Sequence, residues 1–215
     1  MKTLQVKHLV KKYGDHEVLN IPALELRQGN YWIKGPNGSG KSTFLKVLAG
    51  LIPFKGDIIL NELNEQISIH KAPVAYRAAI SHAPAEPAYP SFLSGQELVN
   101  FYLRVKNGNV QQVNEIKSIL GIDYYLDNPT GSYSSGMLKK LSLLLAFIGS
   151  SEWILLDEPF TTLDMSAQNA LQHLIHSTKN KGFIFTSHHD ISPANISLSG
   201  IYHVYNKTII IEPGK

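Results

Sequence analysis

The sequence predicts an α/β fold with an antiparallel, β-rich N-terminal part and a mostly helical lobe inserted into the core. Three observations predict it. Residues in the opening third alternate between apolar and polar side chains, as half-buried strands do. A glycine-rich segment, residues 35–42, stands between a short β-branched run and a helical apolar pattern. Two short apolar runs, residues 153–157 and 183–186, are typical of strands covered on both faces of a parallel sheet.

The N-terminal part contains three predicted strands. Residues 4–6 alternate, residues 18–21 follow a turn at residues 14–15, and residues 31–33 form the run before the glycine-rich segment. After that segment, residues 44–49 carry apolar side chains at helical spacing, and a glycine follows as a stop signal. The sequence therefore predicts a strand, a glycine-rich turn and a helix in direct succession.

The pattern of apolar residues changes from strand-like to helical at a proline-rich segment, residues 83–90. Beyond it, helical patterns cover residues 96–106 and 110–120. The length of 215 residues fits one domain with an inserted lobe. The predicted boundaries are a helical lobe at residues 85–150 and an α/β core at residues 1–84 and 151–215.

The composition excludes several classes of function. Lysine and arginine number 20 and aspartate and glutamate 17, and a net charge of +3 provides no basic surface of the kind that nucleic-acid binding needs. The absence of cysteine excludes a disulfide framework and a thiol nucleophile. No stretch reaches the roughly 18 apolar residues of a membrane-spanning helix. We therefore expect a soluble protein that reaches a membrane only through a partner.

The glycine-rich segment matches G-x-x-x-x-G-K-[ST], the phosphate-binding loop, between a strand and a helix as the motif demands. Its glycines permit backbone conformations that point successive N–H groups inward, and the helix that follows adds its positive end. Lys41 is expected to reach the β- and γ-phosphates, and the Ser42 hydroxyl to bind Mg²⁺. The alternative is a glycine-rich turn that contains a lysine by chance. The predicted nucleotide-binding residues of the loop are Gly35, Pro36, Asn37, Gly38, Ser39, Gly40, Lys41, Ser42 and Thr43.

An acidic pair, Asp157 and Glu158, follows the apolar run at residues 153–156. Ligands of α/β sheets bind at the carboxyl ends of the strands, where these carboxylates are expected to emerge. Asp157 suits the role of a Mg²⁺ ligand, and Glu158 that of a general base for a water in line with the γ-phosphate. The alternative is a solvated pair that merely begins a loop.

Several motifs in order resemble the ATP-binding subunit of ABC transporters over nearly the whole chain. Tyr13 matches the aromatic residue that stacks on adenine in that family, and residues 133–137, Tyr-Ser-Ser-Gly-Met, match the family signature. Residues 161–164 resemble the loop that lies across the dimer interface. Residues 186–188, Thr-Ser-His, resemble the switch, whose histidine, here His188, touches the γ-phosphate.

Some of these motifs also have plainer interpretations. Tyr13 alone would more often be an ordinary surface or core tyrosine. Ser134 is also a good helix cap, with residues 138–148 as the helix, and this interpretation is compatible with function because a capped N-terminus is the anion-binding end.

The histidines leave two questions open. His189 is the alternative to His188 if the register of the switch slips by one residue. His173 and His176 stand about one helical turn apart, which suggests a metal pair, but without a nearby third ligand solvated histidines are favoured.

The chain departs from the family at two motifs. Ala85 occupies the position of a glutamine that the family presents to Mg²⁺ and the attacking water, and a methyl group does neither. Three outcomes are open: water fills the coordination position, Glu86 swings in, or hydrolysis is slow. We favour water, because Mg²⁺ readily keeps several waters. In the signature, Ser135 and Met137 replace the usual glycine and glutamine, while Ser134 and Gly136 are kept.

The resemblance implies a Mg²⁺-dependent ATPase that forms an ATP-dependent head-to-tail dimer with a second ATP-binding subunit. Each ATP would lie between the phosphate loop of one subunit and the Ser134 and Gly136 of the other. The resemblance further implies separate integral membrane subunits, transport in the direction of export rather than import, and a cytoplasmic location against the inner (cell) membrane. Two rivals are a soluble ABC-type ATPase outside any transporter and a nucleotide-gated module with weak hydrolysis.

Overall fold

The computed structural model describes residues 2–62, 65–187 and 196–212. These residues form ten strands, six α-helices and two short 3-10 turns. In chain order the α-helices and strands are β1 Thr3–Tyr13, β2 His16–Arg27, β3 Asn30–Lys34, α1 Lys41–Leu48, β4 Lys55–Glu62, β5 Glu65–Ser68, α2 Pro73–Ala79, β6 Ile80–Ala83, α3 Gly95–Val105, α4 Val110–Leu120, α5 Ser135–Phe147, β7 Trp153–Leu156, α6 Met165–Ser177, β8 Gly182–Ser187, β9 Gly200–Tyr205 and β10 Thr208–Ile211.

The N-terminal strands form an antiparallel sheet of four strands in the order β2-β1-β4-β5. The long hairpin of β1 and β2 runs from the pair Thr3 and Arg27 to the pair Tyr13 and His16, so the turn lies at residues 14–15, where the sequence predicts it. This sheet confirms the antiparallel β part of the predicted fold.

The second sheet has six strands in the order β10-β9-β3-β8-β7-β6. The five strands β9, β3, β8, β7 and β6 pair in parallel, and β10 pairs antiparallel with β9 at the edge. All residues of β7 and β8 are buried, which explains why their sequences read as unbroken apolar runs. The parallel core that those runs predict is confirmed.

Alternate residues of β7 enter two different hydrophobic clusters. Trp153 and Leu155 pack with α1 and the antiparallel sheet, whereas Ile154 and Leu156 pack with the helices α4, α5 and α6. Successive side chains of a strand point to opposite faces, so the parallel sheet is the middle layer between two cores. The two hydrophobic clusters thereby pack against both faces of the parallel sheet and fix the position of its strands.

The helices between residues 95 and 147 begin where the sequence signals predict. Ser94 and Glu97 form a capping box at α3, and the Asn109 side chain caps α4. Ser134 caps α5, which begins at Ser135 and ends at Phe147, slightly earlier than the predicted range 138–148. The division of the chain into a core and a lobe at residues 85 and 150 stays a prediction.

The longest helices, α5 and α6, have 13 residues each. Within the described ranges, none of the helices combines the length and the apolar character that a membrane crossing requires.

We predict that Tyr76→Phe lowers the free energy of unfolding by about 1–2 kcal/mol, because the Tyr76 hydroxyl donates a buried hydrogen bond of 2.8 Å to the Leu48 carbonyl at the end of α1. Tyr124→Phe is the matched control, since Tyr124 is 83% exposed and its hydroxyl is solvated. Urea unfolding followed by tryptophan fluorescence measures both. Equal stability of the two variants would show that this bond does not anchor α1.

Candidate functional site: a phosphate loop beside an acidic pair

The loop from β3 to α1 has the backbone geometry that the phosphate-binding motif requires. Gly38 and Gly40 have φ values of 76° and 106°, in the left-handed region that residues with a Cβ rarely adopt. Residues 36–38 are exposed, while Lys41 at the start of the helix is buried. The loop is therefore an open bend rather than a turn covered by packed side chains.

The N-terminus of α1 has no side-chain cap, because its N-cap residue is Gly40. In contrast, the side chains of Ser134 and Asp164 accept hydrogen bonds from the first turns of α5 and α6. In the described part of the chain, the first turn of α1 also lacks an acidic residue. Its N–H groups and its positive helix end are therefore available to an anion.

The Lys41 side chain lies across the inside of the loop. Its ammonium donates hydrogen bonds of 2.7 Å to the Gly35 carbonyl and 3.1 Å to the Pro36 carbonyl. Burial lowers the pKa of Lys41, and the negative charges of Glu158 and Asp157 oppose that shift. The carboxylates thus favour the charged form of the lysine beside the loop.

A cavity of about 410 Å³ joins the loop to the acidic pair. Val18, Glu158 and the loop form its wall. The loop residues that line it are Asn37, Gly38, Ser39, Gly40, Lys41, Ser42 and Thr43. Gly35, Pro36 and Asp157 are not part of this lining. The Gly35 and Pro36 carbonyls bond the Lys41 ammonium, and Asp157 is the neighbour of Glu158 in the chain. The phosphate loop and Glu158, predicted separately, therefore share one cavity.

Thr186 holds the acidic pair in place. Asp157 is only 2% exposed, and its Oδ1 accepts a hydrogen bond of 2.6 Å from the Thr186 hydroxyl. The same hydroxyl accepts a bond of 3.0 Å from the Glu158 N–H. Glu158 itself has a φ of 46°, a conformation uncommon for a residue with a side chain. The sequence assigns no such role to Thr186, although a hydroxyl residue directly after the apolar residues 183–185 is a usable signal.

The Ala85 position is held through its backbone. The Ala85 and Pro84 carbonyls accept hydrogen bonds from Lys139, whose ammonium also donates to the Asp157 carbonyl. Lys139 is not among the predicted site residues, because nothing in its neighbourhood along the chain indicates that it faces this site.

The remaining predicted residues lie outside the lining of the cavity. Tyr13 is 52% exposed at the end of β1, and the Lys11 ammonium lies 4.4 Å from the centre of its ring. Ser134 is exposed, and its Oγ accepts a bond of 3.2 Å from the Met137 N–H. Gly136 lies beside the Thr162 carbonyl of the same chain, which a Cβ at Gly136 would approach to 3.1 Å. The signature segment is thus presented on the surface near the 161–164 loop.

His188, the predicted switch residue, and its alternative His189 lie outside the described residues. Their roles stay predictions.

The donor set fits Mg²⁺, which prefers oxygen ligands and keeps several waters. Ser42, which has a hydroxyl, is among the residues that line the cavity, and Asp157 directly follows β7, next to Glu158 of the same lining. Among the described residues there is no group of three or more histidines, cysteines, aspartates and glutamates that would hold a metal by itself. Such a site therefore suits an ion that takes its other ligands from phosphate oxygens and water.

The fold and the loop define this protein as a phosphate-loop nucleotide-binding domain. The family model described as ABC transporter matches residues 19–161, and the chain belongs to that family. A solved structure described as an ATP binding subunit of an ABC transporter superposes with a TM-score of 0.85 at 22% identity, over 96% of this chain and 87% of that one. The chain is thus an ABC nucleotide-binding domain.

Two curated relatives differ in how much of them the chain covers. The ABC transporter A family member 4 of Dictyostelium discoideum is 31% identical over 87% of this chain, but the chain spans only 12% of its length. The lantibiotic transport ATP-binding protein SrtF of Streptococcus pyogenes is 28% identical over 97% of this chain and 90% of its own length. The chain therefore corresponds to a small part of the first relative and to most of the second.

We predict that Thr186→Val lowers the free energy of unfolding by about 2 kcal/mol, because it leaves the buried Asp157 carboxylate without this donor and the Glu158 N–H without its acceptor. Thr186→Ser keeps the hydroxyl and is expected to lose less than about 1 kcal/mol. Guanidinium unfolding curves of the two variants provide the comparison. A valine variant as stable as the serine variant would contradict the role given to this hydroxyl.

Proposed function

We propose that the protein binds ATP with Mg²⁺ and hydrolyses it to drive transport through separate membrane subunits. The observation that carries this proposal is the shared cavity of the phosphate loop and Glu158. A loop that binds a triphosphate and a carboxylate that accepts a proton are the two parts that hydrolysis needs, and here they face the same space.

In the proposed reaction, the backbone N–H groups of residues 35 and 37–43 and the ammonium of Lys41 bind the phosphates, with Pro36 holding the bend between them, and Tyr13 stacks on the adenine. Glu158 accepts a proton from water as the water oxygen bonds to the γ-phosphorus, and the bond from that phosphorus to the bridging oxygen of ADP breaks. Lys41 stabilises the charge that develops on the phosphate oxygens, and His188 steadies the γ-phosphate. Mg²⁺ bound by Ser42 and Asp157 would supply further neutralising charge.

We also propose that a second ATP-binding subunit completes the site in a head-to-tail dimer. The exposure of Ser134 and the partial exposure of Gly136, at the N-terminus of α5, support this. A helix N-terminus attracts phosphate, so the γ-phosphate would join α1 of one subunit to α5 of the other. ATP then favours the closed dimer, because only that state makes both sets of contacts.

The surface that would receive the membrane subunits lies around the proline-rich segment. A second cavity, of about 350 Å³, is lined by residues from four places: the residues just after α1, the α2–β6 region, α3 with the segment before it, and the last part of α5. Exposed Phe92 and Phe101 belong to the same segment and to α3. In this proposal the protein is cytoplasmic and reaches the cell membrane through these partners.

The Tyr-Ser-x-Gly-Met pattern at residues 133–137 favours export over import. The relative SrtF, whose name states lantibiotic transport, supports a transport role. A soluble ABC-type ATPase outside a transporter is the alternative, and co-purification with an integral membrane protein separates the two.

Ala85 favours a second candidate, a nucleotide-gated module that hydrolyses ATP only weakly, because its methyl group neither binds Mg²⁺ nor orients water. A steady-state ATPase assay of the wild-type protein distinguishes this candidate from the first.

We predict that Glu158→Gln leaves the affinity for a fluorescent ATP analogue within twofold of wild type and lowers turnover by about two to four orders of magnitude, because the general base is lost. It should also trap a dimer that forms with ATP and is visible by analytical ultracentrifugation. Lys41→Ala is the contrasting variant, since it should weaken binding of the analogue itself.

Near-normal turnover in the glutamine variant would remove Glu158 from its role. Unchanged nucleotide affinity in the Lys41→Ala variant would contradict the assignment of the loop and Lys41 as the binding site of the phosphates.

We predict that Ala85→Gln lowers the Mg²⁺ concentration needed for half-maximal ATPase activity by a few-fold, because an amide oxygen replaces one water ligand. Ala78→Gln is the control, since Ala78 is exposed on α2 away from the site. A Mg²⁺ titration of turnover measures both variants. If Ala85→Gln changes neither the Mg²⁺ requirement nor the turnover, residue 85 has no part in metal or water binding.

A further inference from the structure

Lys139 is a charged side chain in the interior of the protein. It lies in the second turn of α5 and is 1% exposed. Burial of an ammonium group costs several kcal/mol unless hydrogen bonds compensate for the lost water. A leucine or methionine would fill such a place on a buried helix face without that cost. The presence of a lysine therefore calls for a role that an apolar residue does not fill.

The three hydrogen bonds of the Lys139 ammonium join two separate segments. It donates to the carbonyls of Pro84 at 3.1 Å and Ala85 at 3.0 Å, and to the carbonyl of Asp157 at 2.8 Å. The first two residues leave β6, and the third leaves β7, the neighbouring parallel strand. An ammonium has three donors, and all three are used on these loop ends. The side chain thus ties the carboxyl ends of β6 and β7 together.

The three hydrogen bonds of Lys139 lie just beyond the last backbone hydrogen bond between β6 and β7. The register of β6 and β7 ends at the pair Ala83 and Leu156, and the last backbone bond there runs from the Asp157 N–H to the Ala83 carbonyl at 2.9 Å. Beyond it, Lys139 joins the carbonyls of residues 84 and 85 to the carbonyl of Asp157. Because Ala85 has only a methyl group, its segment is held through its backbone.

We propose that Lys139 is a positioning residue for hydrolysis, which holds the Ala85 segment and the Asp157–Glu158 pair in register and connects both to α5. This inference rests on the proposed function. Lys139 lies five residues after the cap Ser134, on the helix whose N-terminus would contact the partner's nucleotide. A small displacement of a catalytic group costs up to about 100-fold in rate. The three hydrogen bonds of Lys139 go to residues outside the phosphate loop, so we expect the nucleotide affinity to be kept.

The test compares Lys139→Met with Lys181→Met. Lys181 is a matched control because burial also lowers its pKa to about 8, as it does for Lys139, and its ammonium bonds the Gly149 carbonyl at 2.7 Å. It stands next to the amino end of β8, at the opposite edge of the sheet from the acidic pair. The methionine at 139 should lower kcat by about 10- to 100-fold with the ATP-analogue dissociation constant within twofold of wild type. The methionine at 181 should leave both within twofold.

Amide hydrogen exchange of the nucleotide-free protein tests whether Lys139 holds the ends of β6 and β7 together, and it needs no ATPase assay. Faster exchange at the Asp157 and Glu86 amides in Lys139→Met, and not in Lys181→Met, is expected. Where Lys139→Met does not fold, Lys139→Gln keeps a shorter donor and should show the same pattern in weaker form.

Unchanged kcat together with unchanged exchange, or a loss confined to ATP affinity, would overturn the proposal. A wild-type protein without ATPase activity would instead refute the proposed hydrolysis, and exchange at Asp157 would still decide whether Lys139 holds the two segments.

Discussion

The uncapped N-terminus of α1, whose free N–H groups suit a phosphate group, is the constraint on which the proposed site depends. Gly40 permits the bend and offers no side chain to cap the helix, so its N–H groups remain for a ligand. The rest of the fold keeps this feature in place. The helix packs through its buried Phe44 and Leu45 between the two sheets, and β3 delivers the loop from the middle of the parallel sheet.

The chemistry beside that loop depends on how strand ends are held. Parallel strands end at one edge, and each end leaves backbone groups without ladder partners. Thr186 bonds both members of the acidic pair, and Lys139 bonds the carbonyls of two adjacent strand ends. Both side chains are buried, so their hydrogen bonds do not compete with water. The fold thus uses polar side chains inside the core to fix the strand ends beside the phosphate loop.

The sequence predicts the parts of the site that are local. The phosphate loop lies within one strand-turn-helix unit, and the cap at Ser134 lies within one turn of its helix, so spacing alone identifies them. The same reasoning gives no account of residues 55–83, which form three strands and a helix with weak individual signals and long-range partners. The role of Lys139 could not be predicted from the sequence, because its three hydrogen-bond acceptors lie 18 or more residues away along the chain. Tertiary contacts of that kind follow from the fold and not from periodicity.

We propose that the affinity for the nucleotide comes mainly from its phosphates, which main-chain N–H groups and the Lys41 ammonium bind. Isothermal titration with ATP, ADP, AMP and adenosine tests it most directly. The account predicts that ATP and ADP bind at least about 100-fold more tightly than adenosine, a difference of about 2.7 kcal/mol that the charged contacts supply. Adenosine binding as tightly as ATP, or ATP failing to bind, would contradict it.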